Sequence, residues 1–295
     1  MRGDMKPFDF LILMMCCLFW GVNFAFGAWA VSDHNIPPLF LAATRSVVVL
    51  IVFGAFLFKT RPAAFKRLLI VCACVGPLHL GFLYTGLKTA DASASSIVAQ
   101  MMIPFATVLS VIFLKERVGL VRSLGITGAL IGVIIMVYDP DSVGINTGLM
   151  LIVGGYIALA VGSIVMKTVG TVDWRQYVAW MALTVFITMS TGSALFETGQ
   201  VDAARTATWP LLATAVFAGL CVSVFAHGQY FKLLQTYEVS VVVPLTLMVP
   251  VFATIAGVLF RGETIGMSVI FGAALILPCV YVIAKRQNIP VLHED

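Results

Sequence analysis

Charge is what this chain has least of. Lysine, arginine, aspartate and glutamate make up 11% of its 295 residues, against roughly 25% in a soluble globular domain. All 14 acids lie in loops, tails or the terminal turns of apolar runs. The buried carboxylate relay of proton pumps and many antiporters is therefore missing. Nucleotide-binding Walker A, H-E-x-x-H, G-x-S-x-G and calcium-loop spacings are also missing, so neither direct ATP drive nor a familiar enzyme site is expected. The six cysteines, Cys16, Cys17, Cys72, Cys74, Cys221 and Cys279, all fall inside apolar runs. None sits on a loop where an oxidising compartment could pair it. Cys72-x-Cys74 has no further soft ligands nearby and reads as small apolar packing. No metal and no cofactor are expected.

Apolar residues are abundant instead: 60% of the chain, with a mean hydropathy of +1.03. A membrane span needs about 20 predominantly apolar residues. Ten segments qualify: 10–32, 38–58, 67–87, 91–114, 119–138, 146–167, 176–197, 208–231, 239–260 and 264–284. Little remains for a soluble domain. The first segment ends in Ala28-Trp29-Ala30, like a signal-peptide cleavage site, but its apolar core is long and further spans follow. It reads as an uncleaved anchor.

The net charge of +4 would suggest nucleic acid until the charges are placed. With the N-terminus inside, inner segments carry 14 basic residues and outer segments carry Lys88, Arg205 and Arg261, while Arg45 lies within a span. Basic residues concentrate on the cytoplasmic side of membrane proteins. Both termini are expected to be cytoplasmic, and no nucleic-acid partner is expected.

At an offset of 147 the chain repeats itself. Phe105-Ala106-Thr107 recurs as Phe252-Ala253-Thr254, Asp91 meets Glu238, and Ser93 meets Ser240. Met101 meets Met248, Phe113 meets Phe260, Glu116 meets Glu263, and Gly119 and Gly125 meet Gly266 and Gly272. A fixed period marks a duplicated unit. The polar stretch Asp139–Gly144 divides residues 1–140, with five spans, from 141–295, with five more. Five is odd, so the second unit must thread the membrane in the opposite sense. The expected fold is an all-α integral membrane protein of ten transmembrane helices in two inverted-topology five-helix repeats. Such repeats are typical of secondary transporters, with a binding site near the midplane.

Phe19-Trp20-Gly21-Val22-Asn23-Phe24, then Ile36-Pro37-Pro38-Leu39 and Ala42-Ala43-Thr44-Arg45, resembles the opening of EamA-type transporters of the drug/metabolite transporter superfamily. Lys115-Glu116-Arg117-Val118-Gly119 and Gly262-Glu263-Thr264, each leading into a glycine-rich helix, resemble that family's twice-occurring pattern. The second half departs from it, offering Val161-Gly162-Ser163-Ile164 where the first has Trp-Gly-x-Asn-Phe. The resemblance implies ten helices and export of amino acids or related metabolites from a bacterial inner membrane.

Polar groups inside spans mark the candidate site, since they are costly in hydrocarbon. Trp20 and Asn23 share a face with Gly27 and suit either a cavity rim or helix packing. His79 and His227 fall at nearly equivalent depths in the two repeats, and Ser223, His227 and Tyr230 are spaced along one helical face. The two histidines are the mid-span groups that titrate near neutral pH. Ser93, Ser96 and Gln100 also share a face, with Gln100 near mid-depth, while Ser163 and Trp180 are further candidates. Trp180 fits an interfacial aromatic belt equally well. Arg45, about seven residues into its span or roughly 10 Å deep, suits gating or structure: snorkelling, or pairing with a helix C-terminus or Asp33. Direct carboxylate binding is its other reading. Pro104, Pro244 and Pro250 are expected to kink matching helices.

These residues predict a membrane exporter of small molecules, amino acids foremost, acting as a monomer in the lipid bilayer. Coupling would be absent or histidine-based. A drug or phosphorylated-metabolite carrier is the rival within the class, although a phosphate would want more mid-span cations than Arg45. An intramembrane enzyme is the rival outside it, and lacks paired acids or an oxyanion donor.

Overall fold

The computed structural model describes residues 5–60, 62, 64–114, 119–139, 144–170, 172–237, 242–243 and 245–285. Almost all of them are helical. The described residues also include short turns and a two-residue antiparallel ladder, Tyr138–Asp139 with Gly144–Ile145, at the junction of the two halves. The helices are α1 (Pro7–Ala28), α2 (Pro38–Phe53), α3 (Phe65–Ala73), α4 (His79–Gly86), α5 (Ala92–Ala99), α6 (Met102–Leu114) and α7 (Leu120–Val137) in the first half. The second half has α8 (Thr147–Met166), α9 (Trp174–Phe196), α10 (Gln200–Thr206), α11 (Thr208–Val216), α12 (His227–Thr236), α13 (Met248–Arg261) and α14 (Met267–Lys285).

Seven helical rods are long and apolar enough to cross a membrane: Pro7–Asp33, Pro38–Phe58, Phe65–Gly86, Ala92–Phe113, Thr147–Met166, Trp174–Phe196 and Thr208–Tyr230. The other three expected spans coincide with shorter apolar helices, Ser123–Met136, Met248–Arg261 and Met267–Ile283. Seven full-length spans, rather than ten, are thus established among the described residues. Large apolar side chains cover the outside, Phe58 at 91% exposed and Ile51 at 80% among them. A helix apolar all round belongs in lipid.

Packing follows the repeat. The second and sixth rods, α2 and α9, lie along each other, as do α7 and α14. The contact of α1 with α13 is mirrored by that of α8 with α6. Lipid gives helices no hydrophobic reason to associate, so close backbone approach through small residues must do it. On α7, a Cβ at Gly132 would stand 2.6 Å from Ile276 Cγ1 and 3.1 Å from the Gly272 carbonyl. Gly21 does the same for α1, where a Cβ would meet Phe252 Cβ at 2.7 Å and the Val249 carbonyl at 2.8 Å.

Each end of the bundle is tied by polar contacts. At one end, Lys59 Nζ lies 2.8 Å from Asp173 Oδ2. Gln176 donates to the Lys59 and Thr60 carbonyls, and Arg67 to that of Thr168. The Lys59 ammonium holds the Asp173 carboxyl below the usual aspartate range, helped by the Arg175 N–H. At the other end, Arg261 grips both oxygens of Asp33, at 3.0 and 2.8 Å, and reaches Glu263 at 2.6 Å.

Candidate functional site

Where a helix must widen or break inside a span, backbone groups become available for binding. This chain does both, in both halves. A π-helical segment, Cys74–Leu78, joins α3 to α4, and another, Phe217–Ala226, joins α11 to α12. At the 147 offset the first falls within the second. Pro77 lies in the first, where it has no N–H to give an ordinary helical turn.

A histidine follows each wide segment directly. His79 opens α4 and places Nδ1 3.2 Å from the Gly155 carbonyl of α8. His227 opens α12 and places Nδ1 2.7 Å from the Val222 carbonyl, five residues back. A carbonyl can only accept, so Nδ1 carries the proton in both rings. Each ring is thus anchored at the end of a π segment. His79 packs edge-on against Tyr156 at 4.8 Å between ring centroids.

The predicted face of α1 meets the second histidine. Trp20 makes edge contacts with His227 at 5.5 Å and Tyr230 at 5.1 Å. Further along that face, a Cβ on Gly27 would lie 3.1 Å from the Tyr84 ring. Asn23 sits between them, 7% exposed. Two buried atoms on this face, Trp20 Nε1 and Asn23 Oδ1, have no hydrogen-bond partner.

Arg45 is buried and donates to two hydroxyls, Tyr84 at 3.1 Å and Ser223 at 2.8 Å. Ser223 in turn donates to the Ala218 carbonyl at 3.0 Å, again five residues back. Gly219 lets α2 come close, since a Cβ there would stand 2.7 Å from Val48 Cγ1 and 3.5 Å from the Arg45 carbonyl. The guanidinium also lies within electrostatic reach of His79 and His227. The expected pairing with Asp33 is not made, because Asp33 is taken by Arg261. Of the predicted face of Ser223, His227 and Tyr230, Ser223 reaches Arg45 while His227 and Tyr230 reach Trp20.

The fourth span is broken. A turn at Gln100–Met101 separates α5 from α6, with Gln100, 7% exposed, at the end of the helix that carries Ser93 and Ser96. Pro104 stands just beyond, in the first turn of α6. It cannot donate to the Gln100 carbonyl, which accepts instead from Ile103 at 3.2 Å. The other half repeats the device. Pro250 lies in the first turn of α13, and the Thr246 carbonyl accepts from Val249 at 2.9 Å. Both prolines thus begin a helix after a break, where a kink within a continuous helix was expected. Pro244 lies outside the described residues.

Two candidates stand apart from this cluster. Ser163 donates to the Leu159 carbonyl of its own helix. Trp180 packs edge-on against Phe65 at 4.8 Å, in a group with Leu68, Val71 and Cys72. Its Nε1 is buried without a partner. Residues not singled out from the sequence are Tyr84, Tyr156 and the carboxylate Glu197, while Glu263 stands out there only as the repeat mate of Glu116. Glu197 accepts from the Leu39 and Phe40 N–H groups at the start of α2. A groove of about 840 Å³ runs beside it, lined by Phe40, Val47, Ile51, Phe186 and Leu212 among others, and none of the predicted site residues borders it.

The geometry is that of two copies of one interrupted scaffold converging on aromatic, imidazole and guanidinium groups. Comparison with known proteins agrees. A protein of Salmonella typhimurium named "Probable amino-acid metabolite efflux pump" is 26% identical over 285 residues, covering 93% of this chain and 94% of its own. Its Escherichia coli namesake has the same identity and coverage. An "Uncharacterized transporter" of Archaeoglobus fulgidus is 25% identical, covering 94% and 99%. A solved crystal structure superposes with a TM-score of 0.59 over 97% of this chain and 100% of the other, at 18% identity, a likeness of fold. Residues 8–138 and 146–285 each match the EamA-like transporter family. This chain is a multi-pass membrane transporter, not an enzyme, and belongs to the EamA-like family.

Proposed function

We propose that this protein exports amino acids or closely related metabolites across the plasma membrane by alternating access, binding its substrate between two inverted five-helix repeats, residues 1–140 and 141–295. The paired interruption carries the reading: a broken helix with its proline and a π segment with its histidine, each present once per repeat. Two regions that can change winding at corresponding depths let one half adopt the shape of the other. Trp20, Asn23, His79, Gln100, His227 and Tyr230 line the substrate's path, with Ser163 and Trp180 nearer its margins. The names of the relatives support an amino-acid cargo.

Basic residues concentrate on the Lys59–Asp173 end, which fits cytoplasmic termini. With that orientation, the Asp33–Arg261–Glu263 network closes the outer end. The chain acts as a monomer. The deciding measurement is efflux from preloaded proteoliposomes with a panel of amino acids, with and without a pH gradient. Efflux of at least one amino acid, faster than from liposomes without protein, is the expected result. Failure with every one would sink the amino-acid reading. Acceleration by the gradient that survives replacement of both His79 and His227 would exclude histidine coupling.

A further inference from the structure

Among the described residues, Arg45 is a buried cation with no anion beside it. None of the ion pairs among the described residues involves it; these are Lys59–Asp173, Arg261–Asp33 and Arg261–Glu263. Its partners, Tyr84 and Ser223, are neutral hydroxyls. A guanidinium carries five N–H donors, and these bonds use two. A buried charge is retained in a membrane span only when something compensates it, and two hydroxyls fix its direction without cancelling its charge.

The second observation comes from α1. Trp20, Asn23 and Gly27 share one face. Trp20 touches His227 and Tyr230, four and seven residues beyond Ser223, while Gly27 abuts Tyr84. Ser223 and Tyr84 are the two groups that hold Arg45. Asn23 therefore lies between the elements that Arg45 bridges. On this face a buried donor, Trp20 Nε1–H, and a buried acceptor, Asn23 Oδ1, are both unpaired. Buried polar groups without partners are rare, and a pair of them on one face beside a buried cation is available for binding. A cation held by hydroxyls alone, an unpaired N–H and an unpaired carbonyl oxygen together suit a molecule with both an anionic and a donor end.

We infer that Arg45 is the carboxylate receptor of the transport site, with Trp20 Nε1–H as its neighbour on the same carboxylate, and that Asn23 Oδ1 accepts from the substrate's ammonium. Recognition then rests on the zwitterionic head group, and the side chain is left to the aromatic surround. This assigns Arg45 a specificity role in place of the gating role that its depth alone suggests. It rests on the transport reading proposed above.

The test uses the full-length protein in detergent and in proteoliposomes, with L-phenylalanine, 3-phenylpropionate (no ammonium) and phenethylamine (no carboxylate). Binding is read as a ligand-induced rise in Tm, and transport as efflux of labelled phenylalanine. Phenylalanine is expected to bind most tightly, the acid about tenfold more weakly, and the amine about a hundredfold more weakly, as loss of a charge-assisted pair implies. Arg45→Gln should erase the preference of acid over amine. Arg45→Lys should keep that preference at lower affinity. Asn23→Leu should bring phenylalanine down to the level of 3-phenylpropionate. The inference is overturned if phenethylamine binds as well as the acid to the native protein, if Arg45→Gln weakens all three equally, or if none of the three raises Tm. Binding in this order without efflux would support the head-group site while removing the export reading.

Discussion

Glu263 and Ser93 join the two halves of the chain: Glu263 Oε2 accepts from both the backbone N–H of Ser93, at 3.1 Å, and its hydroxyl, at 2.8 Å. Oε1 takes the Ala92 N–H at 2.8 Å, so one carboxylate from the end of α13 caps the first turn of α5. A helix N-terminus offers free N–H groups and partial positive charge, which an anion satisfies. Arg261 neutralises the same carboxylate, whose side chain is 3% exposed. Glu263→Ala should therefore cost about 3–5 kcal/mol, as for breaking a buried ion pair. Glu263→Gln, which keeps one acceptor, should cost roughly half as much. Thermal unfolding in detergent would measure both.

Glu197 caps α2 in a lighter version of the same bond, accepting from Leu39 at 2.8 Å and Phe40 at 3.1 Å. Pro37 and Pro38 at that start supply no side-chain cap of their own. Glu197→Ala should cost about 1–2 kcal/mol, the range for a lost N-cap. A variant unchanged in Tm would mean that water replaces the carboxylate.

The opposite end carries the acid-sensitive tie. Asp173 is paired to Lys59 and caps α9 through the Arg175 N–H at 3.0 Å. Its carboxyl titrates below the ordinary aspartate value of 3.8. A depressed acid contributes stability above its unfolded pKa and loses it as pH falls through the folded one. Its contribution should be full at neutral pH and fade below about pH 4. Because the pair is exposed, the ionic part is worth no more than about 1 kcal/mol. The Tm difference between the native protein and Asp173→Asn should shrink towards zero across that window.

Pro104 and Pro250 keep the Gln100 and Thr246 carbonyls out of the regular helical ladder. An alanine at either position restores a donor. Pro104→Ala and Pro250→Ala should leave stability unchanged or slightly raised and slow substrate efflux several-fold. Unaltered efflux in both would remove the broken helices from the transport cycle.

Gly21 and Gly54 form a matched pair of substitutions. A methyl at Gly21 would meet backbone atoms of Val249 and Ala253 at 2.8 Å, whereas nothing lies within 4 Å of one at Gly54. Gly21→Ala should cost about 1–3 kcal/mol through overpacking. Gly54→Ala should be neutral or slightly stabilising. Equal Tm values would refute the close approach of α1 to α13.

The apolar spans and the duplicated unit were legible in the sequence because hydropathy and offset can be read along the chain alone, whereas the contact of Trp20 with His227 joins positions 207 apart and was not. The π segments were not. In a run as uniformly apolar as Phe217–Ala226, no polar stripe shifts phase to betray an extra residue per turn. Arg45 was visible as an anomaly, but its partners lie 39 and 178 positions away. Glu263 stood out through its mate Glu116, yet nothing in its neighbourhood announces Ser93, 170 positions distant. Trp180 looked like a site residue by type alone, and its packing against Phe65 depends on a helix pairing that composition does not encode.

The two halves are copies in order but not in winding. The π segment of the first runs for 5 residues and that of the second for 10, while the two prolines fall 146 positions apart and the methionines at the breaks 147. Under the alternating access proposed above, halves so mismatched would not trade shapes at equal cost, and the inward- and outward-facing forms would be unequal in energy. A gap of only 1.4 kcal/mol would hold ten molecules facing one way for each facing the other. The empty carrier would then have a resting side, and its apparent affinity measured from the two faces of the membrane would differ by that same ratio.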